Sequence, residues 1–171
     1  GDVIKSLSME ERMTVCNMTI EAGARAGLIA PDEKTFNYLK DLRYAPKERN
    51  WKAALMHWKD LYSDKGAIFD KEYDFNVDNL TPYITWGTSP EDGISISELI
   101  PNPKNIAETD KNKAMQKALD YMGLKPGKKL TDYKIQKAFI GSCTNGRLED
   151  LREAANFIIG KQVAENVEAL I

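Results

Sequence analysis

Apolar residues recur at three- and four-residue steps in several stretches, and this spacing predicts amphipathic helices. The first helix carries its apolar face at Met9, Met13, Cys16, Ile20 and Ala24. Ser8 and Glu11 have the spacing of a capping box, which predicts the start of this helix. Gly27 and Pro31 supply its stop signals. Because Cys16 belongs to the apolar face, we expect it in the core.

The same periodicity predicts further helices along the chain. One begins at Asp32, one is capped by Asn50, and one ends at Gly123. A last helix covers residues 148–159 and ends at Gly160. Each boundary rests on a residue type that favours a helix terminus.

Alternating and apolar runs predict strands between these helices. Residues 73–77 alternate like a half-buried strand, and residues 83–86 form another apolar run. Residues 134–140 predict a strand, and residues 167–171 look like the start of a further one. Because helix and strand alternate, parallel pairing follows, and the expected fold class is α/β.

Glycine and proline concentrate in residues 87–105, which we interpret as a junction between two parts. The predicted domains are residues 1–95, helical in the first half with strands near 73–86, and residues 96–171. The second part would carry the most informative segment, which contains Cys143.

Composition narrows the function classes. The 171 residues include 24 basic and 26 acidic side chains, so binding driven by phosphate neutralisation is not expected. No apolar run approaches 18 residues, which excludes a transmembrane helix. Two cysteines far apart make no disulfide framework and predict a cytoplasmic protein with reduced thiols. The chain starts at Gly1 rather than Met, so we expect a piece of a longer protein.

The segment Gly141–Arg147, with the sequence GSCTNGR, stands between the strand predicted at 134–140 and the last helix. Loops at the carboxyl ends of strands are where open α/β sheets bind ligands, and a helix N-terminus favours a thiolate. Cys143 is either an inert apolar residue or a ligand or nucleophile, and the pattern leaves both open. His57 is expected to be structural, and two distant cysteines with one histidine make no zinc pattern.

Asn17, Glu21 and Arg25 are spaced four apart, which would align them on the first helix. One interpretation is a surface Glu–Arg pair of small energetic value. The other is a cleft wall in which Asn17 donates and Glu21 accepts hydrogen bonds to a polar ligand. Spacing alone leaves both open.

Residues 140–151 resemble the cluster-cysteine motif of the aconitase superfamily and, within it, the large-subunit family of the 3-isopropylmalate dehydratases. Residues 8–37, 85–88 and 118–127 resemble the same family in the same order. The resemblance covers essentially the whole chain. It implies an aconitase-like fold with two partial three-layer α/β domains and parallel strands, the domains being 1–95 and the start of the cluster-bearing domain, 96–171.

The resemblance also implies an activity: a hydro-lyase of leucine biosynthesis that isomerises 2-isopropylmalate to 3-isopropylmalate with a 4Fe-4S cluster. Cys143 matches the first cluster cysteine. Asn17 and Glu21 match residues beside the cluster, where the glutamate hydrogen-bonds the water or hydroxyl at the open iron. Asn145 would support the cluster through hydrogen bonds.

Two features of the family are missing from the sequence: a Cys-x-x-Cys pair that completes the cluster ligands, and a serine base that belongs to a separate small subunit. We therefore expect an internal fragment of a large subunit that is inactive alone and does not hold the cluster alone. Its expected partners are the small subunit and the missing parts of the large subunit, with no nucleic acid and no membrane. A related dehydratase of the homoaconitase or dimethylmalate type, or a non-catalytic interaction module, stays open.

Overall fold

The computed structural model describes residues 1–171, and its mixture of helices and strands confirms the predicted α/β class. The helices are α1 (Asp2–Ser6), α2 (Met9–Met18), α3 (Glu33–Lys40), α4 (Glu48–Lys59), α5 (Thr109–Met122) and α6 (Leu148–Ile158). The strands are β1 (Tyr83–Thr85), β2 (Gly93–Ser95), β3 (Lys137–Phe139) and β4 (Glu168–Leu170). They form two separate two-stranded sheets, β1–β2 antiparallel and β3–β4 parallel.

The chain divides into two compact units. The first consists of Gly1–Glu72 together with Lys137–Ile171, and the second is Tyr73–Gln136. Residues 87–105, the predicted junction, lie inside the second unit. The predicted boundary near residue 95 therefore does not coincide with either place where the units meet, at residues 72–73 and 136–137. The assignment of residues 1–95 and 96–171 to domains of a larger protein stays a prediction.

The second unit has a continuous apolar core. Its buried members are Trp86, Ile100, Ala118 and Leu119. The α5 helix presents Ala118 and Leu119 to this core and ends at Gly123, where φ is +67°. Only glycine adopts that left-handed conformation without steric cost, so it terminates the helix as predicted.

The first unit depends more on polar contacts. Its one buried apolar side chain is Phe36 of α3, whose ring stacks on Trp58 with centroids 6.2 Å apart. Arg12 of α2 is buried and makes two hydrogen bonds of 2.7 Å to the carboxylate of Asp32, which also caps α3. This bidentate contact fixes α2 against the start of α3.

A β–α–β unit completes the first unit. Strand β3 continues through a loop into α6, and β4 returns parallel to β3, pairing Lys137 with Glu168 and Phe139 with Leu170. The N–H of Ile140 extends the ladder by donating to the Leu170 carbonyl at 2.9 Å. Both predicted strands and their parallel pairing are confirmed, and the cysteine loop lies at the carboxyl end of β3.

The first predicted helix is shorter than its apolar spacing suggested. It begins at the Ser8–Glu11 capping box, as expected, but ends at Met18. The Thr19 hydroxyl donates to the Cys16 carbonyl at 2.7 Å, and Gly23, at φ +84°, turns the backbone away. A hydroxyl that satisfies a terminal carbonyl and a left-handed glycine compete with helix continuation.

Two other sequence predictions were wrong. Residues 73–77 form no strand because no neighbouring strand pairs with them; Tyr73 and Phe75 instead stack with ring centroids 6.3 Å apart. An alternating pattern needs a hydrogen-bonding partner to become a strand. Asn50 does not cap α4 but lies in its first turn, and Lys47 occupies the cap position.

Candidate functional site

The loop after β3 is held in shape by its own side chains. Gly141 leaves the strand with φ at +136°, a conformation that favours glycine. The Ser142 hydroxyl then accepts hydrogen bonds from the backbone N–H groups of Thr144, at 3.2 Å, and Asn145, at 3.0 Å. Arg147 donates to the Thr144 carbonyl at 2.6 Å. Cys143 is therefore carried on a closed, hydrogen-bonded turn.

The N-terminus of α6 is already occupied by a carboxylate of this chain. Asp150 accepts a hydrogen bond from the backbone N–H of Arg147 at 3.0 Å, and the Arg147 guanidinium lies 3.6 Å from the same carboxylate oxygen. The helix dipole at this end is thus matched by a fixed negative charge. The loop, rather than the helix terminus, is the part that presents Cys143.

Two side-chain hydrogen bonds join this loop to α2. Asn17 donates through Nδ2 to the hydroxyl of Thr144, and Asn145 donates through Nδ2 to the hydroxyl of Thr14 at 3.1 Å. The partners are more than 120 positions apart in the sequence. The fold thus brings Asn17 and Asn145, two predicted site residues, to the turn that carries Cys143.

The two cysteines differ in their surroundings. Cys143 is exposed, and the nearest polar partner of its thiol is the Thr144 hydroxyl at 3.9 Å. Cys16 is half-buried on α2. His57 is exposed in the last turn of α4 and makes no side-chain hydrogen bond, so it gives Cys143 no base. Exposure leaves Cys143 open to a ligand.

Glu21 and Arg25 lie beyond the end of α2, so the predicted helical stripe with Asn17 is wrong. Both are exposed, and neither makes a hydrogen bond or an ion pair with the other. The cause is the early end of α2 at Thr19, after which the four-residue spacing no longer places side chains on one face. The roles of Asn17, Glu21, Cys143 and Asn145 in a site stay predictions.

A cleft of about 1000 Å³ lies beside the loop in the first unit. Thr14, Ser142 and Asn145 line it, as do the acidic side chains Glu10, Glu11, Glu149, Asp150 and Glu153. Cys143, Asn17 and Glu21 are not among its lining residues. Glu11 and Asp150 cap helix termini, and Glu149 pairs with Arg152. Because Cys143 does not line the cleft, we do not assign the cleft to a reaction at Cys143.

The side chains that could act as metal ligands do not make a complete cluster site. No three His, Cys, Asp or Glu side chains converge in a way that could hold a metal ion. A cluster of the 4Fe-4S type takes cysteine thiolates as ligands. Cys143 fits one such ligand because it is exposed on an ordered turn, but the chain alone does not form a complete ligand set.

Several residues that shape the site were missed at the sequence level. Thr14 precedes Asn17 by three residues, a spacing that puts both on one side of α2, and this could have identified it. Ser142 follows a glycine and precedes Cys143, and serine at such a position commonly closes a turn through its hydroxyl. The burial of Arg12 had no signal in the apolar pattern.

Comparison with known proteins confirms the resemblance at the level of the aconitase superfamily. The family model described as "Aconitase family (aconitate hydratase)" matches residues 1–171, which is the whole chain. No solved structure matches the chain. None of the helices has both the length and the apolar character that crossing a bilayer requires. Hydro-lyase chemistry and an iron–sulfur cluster are typical of this family. Because its model matches the chain from end to end, the chain belongs to the aconitase family.

Proposed function

We propose that this chain forms part of the large subunit of a hydro-lyase that interconverts 2-isopropylmalate and 3-isopropylmalate in leucine biosynthesis. The observation that carries the proposal is the hydrogen bond from Asn17 to Thr144, which joins α2 to the turn with Cys143. The resemblance assigns roles at the cluster to both Asn17 and Cys143. Overall likeness to the large-subunit family favours isopropylmalate over the substrates of other aconitase relatives.

In this proposal Cys143 supplies one thiolate ligand, and Asn17 and Asn145 orient the turn that carries it. When bound, the cluster supplies a Lewis acid that assists departure of a hydroxyl group, which is otherwise a poor leaving group. Glu21 follows α2 in an exposed turn, so its carboxylate is accessible to hydrogen-bond the substrate hydroxyl. The chain's own contribution is thus one ligand and the polar groups around it.

Exposed apolar surface supports assembly with further parts of the enzyme. Five apolar side chains are buried, whereas Leu28, Ile68 and Phe75 are exposed by 96%, 98% and 81%. So small a buried set beside many exposed large apolar side chains is expected where another chain or domain covers part of the surface. We propose that the rest of the large subunit, with the other cluster cysteines, and a small subunit with the serine base supply this cover.

The test uses the large subunit that contains this chain, produced with its small subunit and loaded anaerobically with iron and sulfide. Dehydration of 2-isopropylmalate is followed by the absorbance of the alkene product, beside 2,3-dimethylmalate, homocitrate and citrate. The expected preference is for 2-isopropylmalate. Turnover of one of the other acids in its place would instead identify a related dehydratase.

The matched variants are Cys143→Ser and Cys16→Ser. We expect Cys143→Ser to lose activity together with most of about four irons per large subunit, because one thiolate ligand is gone. Cys16→Ser should keep the iron, since Cys16 is half-buried on α2 and the resemblance gives it no ligand role. Full iron content in Cys143→Ser would contradict the ligand role of Cys143. An assembly with no activity on any of the acids would favour a non-catalytic interaction module.

A further inference from the structure

The contact between α2 and the cysteine turn has two parts, and the sequence resemblance accounts for only one α2 residue. Asn17 bonds Thr144, while Thr14, one helical turn earlier, accepts a hydrogen bond from Asn145 at 3.1 Å. Residues three apart lie on one side of a helix. Because Thr144 and Asn145 are adjacent, two neighbouring hydrogen bonds tie α2 to the turn.

The Thr14 hydroxyl is oriented for this role by the helix itself. It donates its proton to the Glu10 carbonyl one turn back, at 3.0 Å. A threonine hydroxyl has one proton and two acceptor lone pairs, so its remaining capacity toward Asn145 is that of an acceptor. Thr14 is half-buried and Asn145 is exposed, so the bond between them lies at the surface of the first unit.

The amide of Asn145 is oriented from the other side as well. Its Nδ2 lies 3.4 Å from a carboxylate oxygen of Asp150, which can only accept. Asp150 in turn accepts from the backbone N–H of Arg147, at the base of α6. The Asn145 side chain is therefore held between two acceptors, Thr14 on α2 and Asp150 on α6.

We propose that Thr14 is a positioning residue: its hydroxyl holds Asn145, and with it the turn that carries Cys143, in register with Asn17. Its effect on catalysis rests on the proposed function, but its effect on the turn does not. Without the hydroxyl, Asn17 alone ties α2 to the turn. A turn held by one bond can rotate about that bond, which would move Cys143 relative to Asn17. Displacement of a group at a reaction site lowers turnover strongly.

The first experiment needs no cluster. In the 171-residue chain, Thr14→Val removes the hydroxyl at nearly constant shape, and Thr14→Ser retains it. We expect the Nδ2 protons of Asn145 to shift in the NMR spectrum of Thr14→Val. Amide exchange at Thr144 and Asn145 should rise about fivefold, the effect of losing one ordinary hydrogen bond. In Thr14→Ser both should stay near the wild-type values.

Unchanged Asn145 resonances and exchange rates in Thr14→Val would overturn the inference, whatever the enzyme does. If Thr14→Val unfolds, Asn145→Ala removes the same bond from the loop side, and exchange at Thr144 then decides. The expected result is the same fivefold rise. An unchanged rate in Asn145→Ala also contradicts the proposed tie.

The second experiment uses the assembled, cluster-loaded enzyme. Thr14→Val should lower kcat about tenfold with iron content and KM near wild type, and Thr14→Ser should restore kcat. A wild-type enzyme that is inactive on 2-isopropylmalate would contradict the proposed function while leaving the NMR result intact. An active enzyme whose kcat is unaffected by Thr14→Val would limit Thr14 to local structure and reject the positioning role.

Discussion

The two units of the chain achieve order in different ways. Residues 73–136 bury Trp86, Ile100 and Leu119 in one apolar cluster. The remainder buries one apolar side chain, Phe36, and Arg12, whose partner Asp32 is partly exposed. Apolar burial is non-directional, while a bidentate ion pair or a side-chain hydrogen bond fixes an angle as well as a distance. The candidate site lies in the unit with the directional contacts, where a cysteine must be held at a defined position.

The two kinds of contact also differ in how much they contribute to the free energy of unfolding. Polar ties contribute less net stability than buried apolar groups, so the first unit should open locally more often than the second. Variants that remove one contact of each kind test the comparison most directly.

The largest effect is expected in the apolar unit. Leu119→Ala deletes a side chain with no exposed surface and should lower the free energy of unfolding of residues 73–136 by about 2–5 kcal/mol. Urea denaturation followed by circular dichroism, with amide exchange in α5, measures it. The control, Leu80→Ala in the same unit at a 71% exposed site, should cost less than about 0.5 kcal/mol. Equal costs would mean that this core does not stabilise the unit.

The next effect belongs to the polar unit. Asp32→Asn leaves Arg12 buried without its counter-ion and should cost about 2–3 kcal/mol, because an uncompensated buried charge is unfavourable. Asparagine remains a good N-cap, so α3 keeps its start. The matched control is Glu33→Gln, the neighbour whose exposed pair with Lys59 at 3.6 Å should contribute little. If both variants unfold at the same urea concentration, the ion pair does not hold the first unit.

Acid should act on the same contact. Hydrogen bonds from Arg12, opposed by partial burial and aided by the N–H groups of Thr35 and Lys34, lower the pKa of Asp32 from 3.8 to about 2. Since the folded pKa lies below the unfolded one, the stabilisation is complete above about pH 5 and is lost as pH falls toward 2. It amounts to at most about 2.5 kcal/mol. Unfolding free energies of wild type and Asp32→Asn should converge across this range; parallel curves would refute the assignment.

The smallest effect concerns the end of α5. Gly123→Ala places a side chain at φ +67° and should cost about 1 kcal/mol, because that conformation crowds a Cβ atom. Gly123→Asn should cost less, since asparagine tolerates this region. Thermal unfolding of both variants provides the measurement. If Gly123→Ala unfolds at the same temperature as wild type, the end of α5 changes its conformation without lowering the stability of the core.

Local signals in the sequence were sufficient for much of the fold. Ser8 with Glu11, Asp32 and Gly123 specify helix ends through their own backbone chemistry, and each is found at the predicted terminus. The parallel β3–β4 pair was predicted from the alternation of strand and helix around Cys143, which is also visible in the local pattern. Residues 73–77 failed because a strand depends on a partner that a local pattern does not contain.

The site was less predictable because its contacts are long-range. That Asn145 would bond Thr14, and Asn17 would bond Thr144, follows only from the folded chain. The burial of Arg12 depends on Asp32 being close, and apolar periodicity carries no information about such pairs. Family resemblance selected Asn17, Glu21, Cys143 and Asn145, but it did not indicate where α2 ends or which hydroxyl holds the turn.

The three tryptophans are distributed so that each unit carries its own optical reporter. Trp86 is 2% exposed in the core of the second unit, and its emission should be blue-shifted until that core opens. Trp51 and Trp58 of the first unit lie edge-to-face with centroids 5.6 Å apart, close enough for excitonic coupling of their strong far-ultraviolet transitions. The blue-shifted part of the emission should therefore report the opening of the second unit, and the exciton signal in the dichroism that of the first, without any added label.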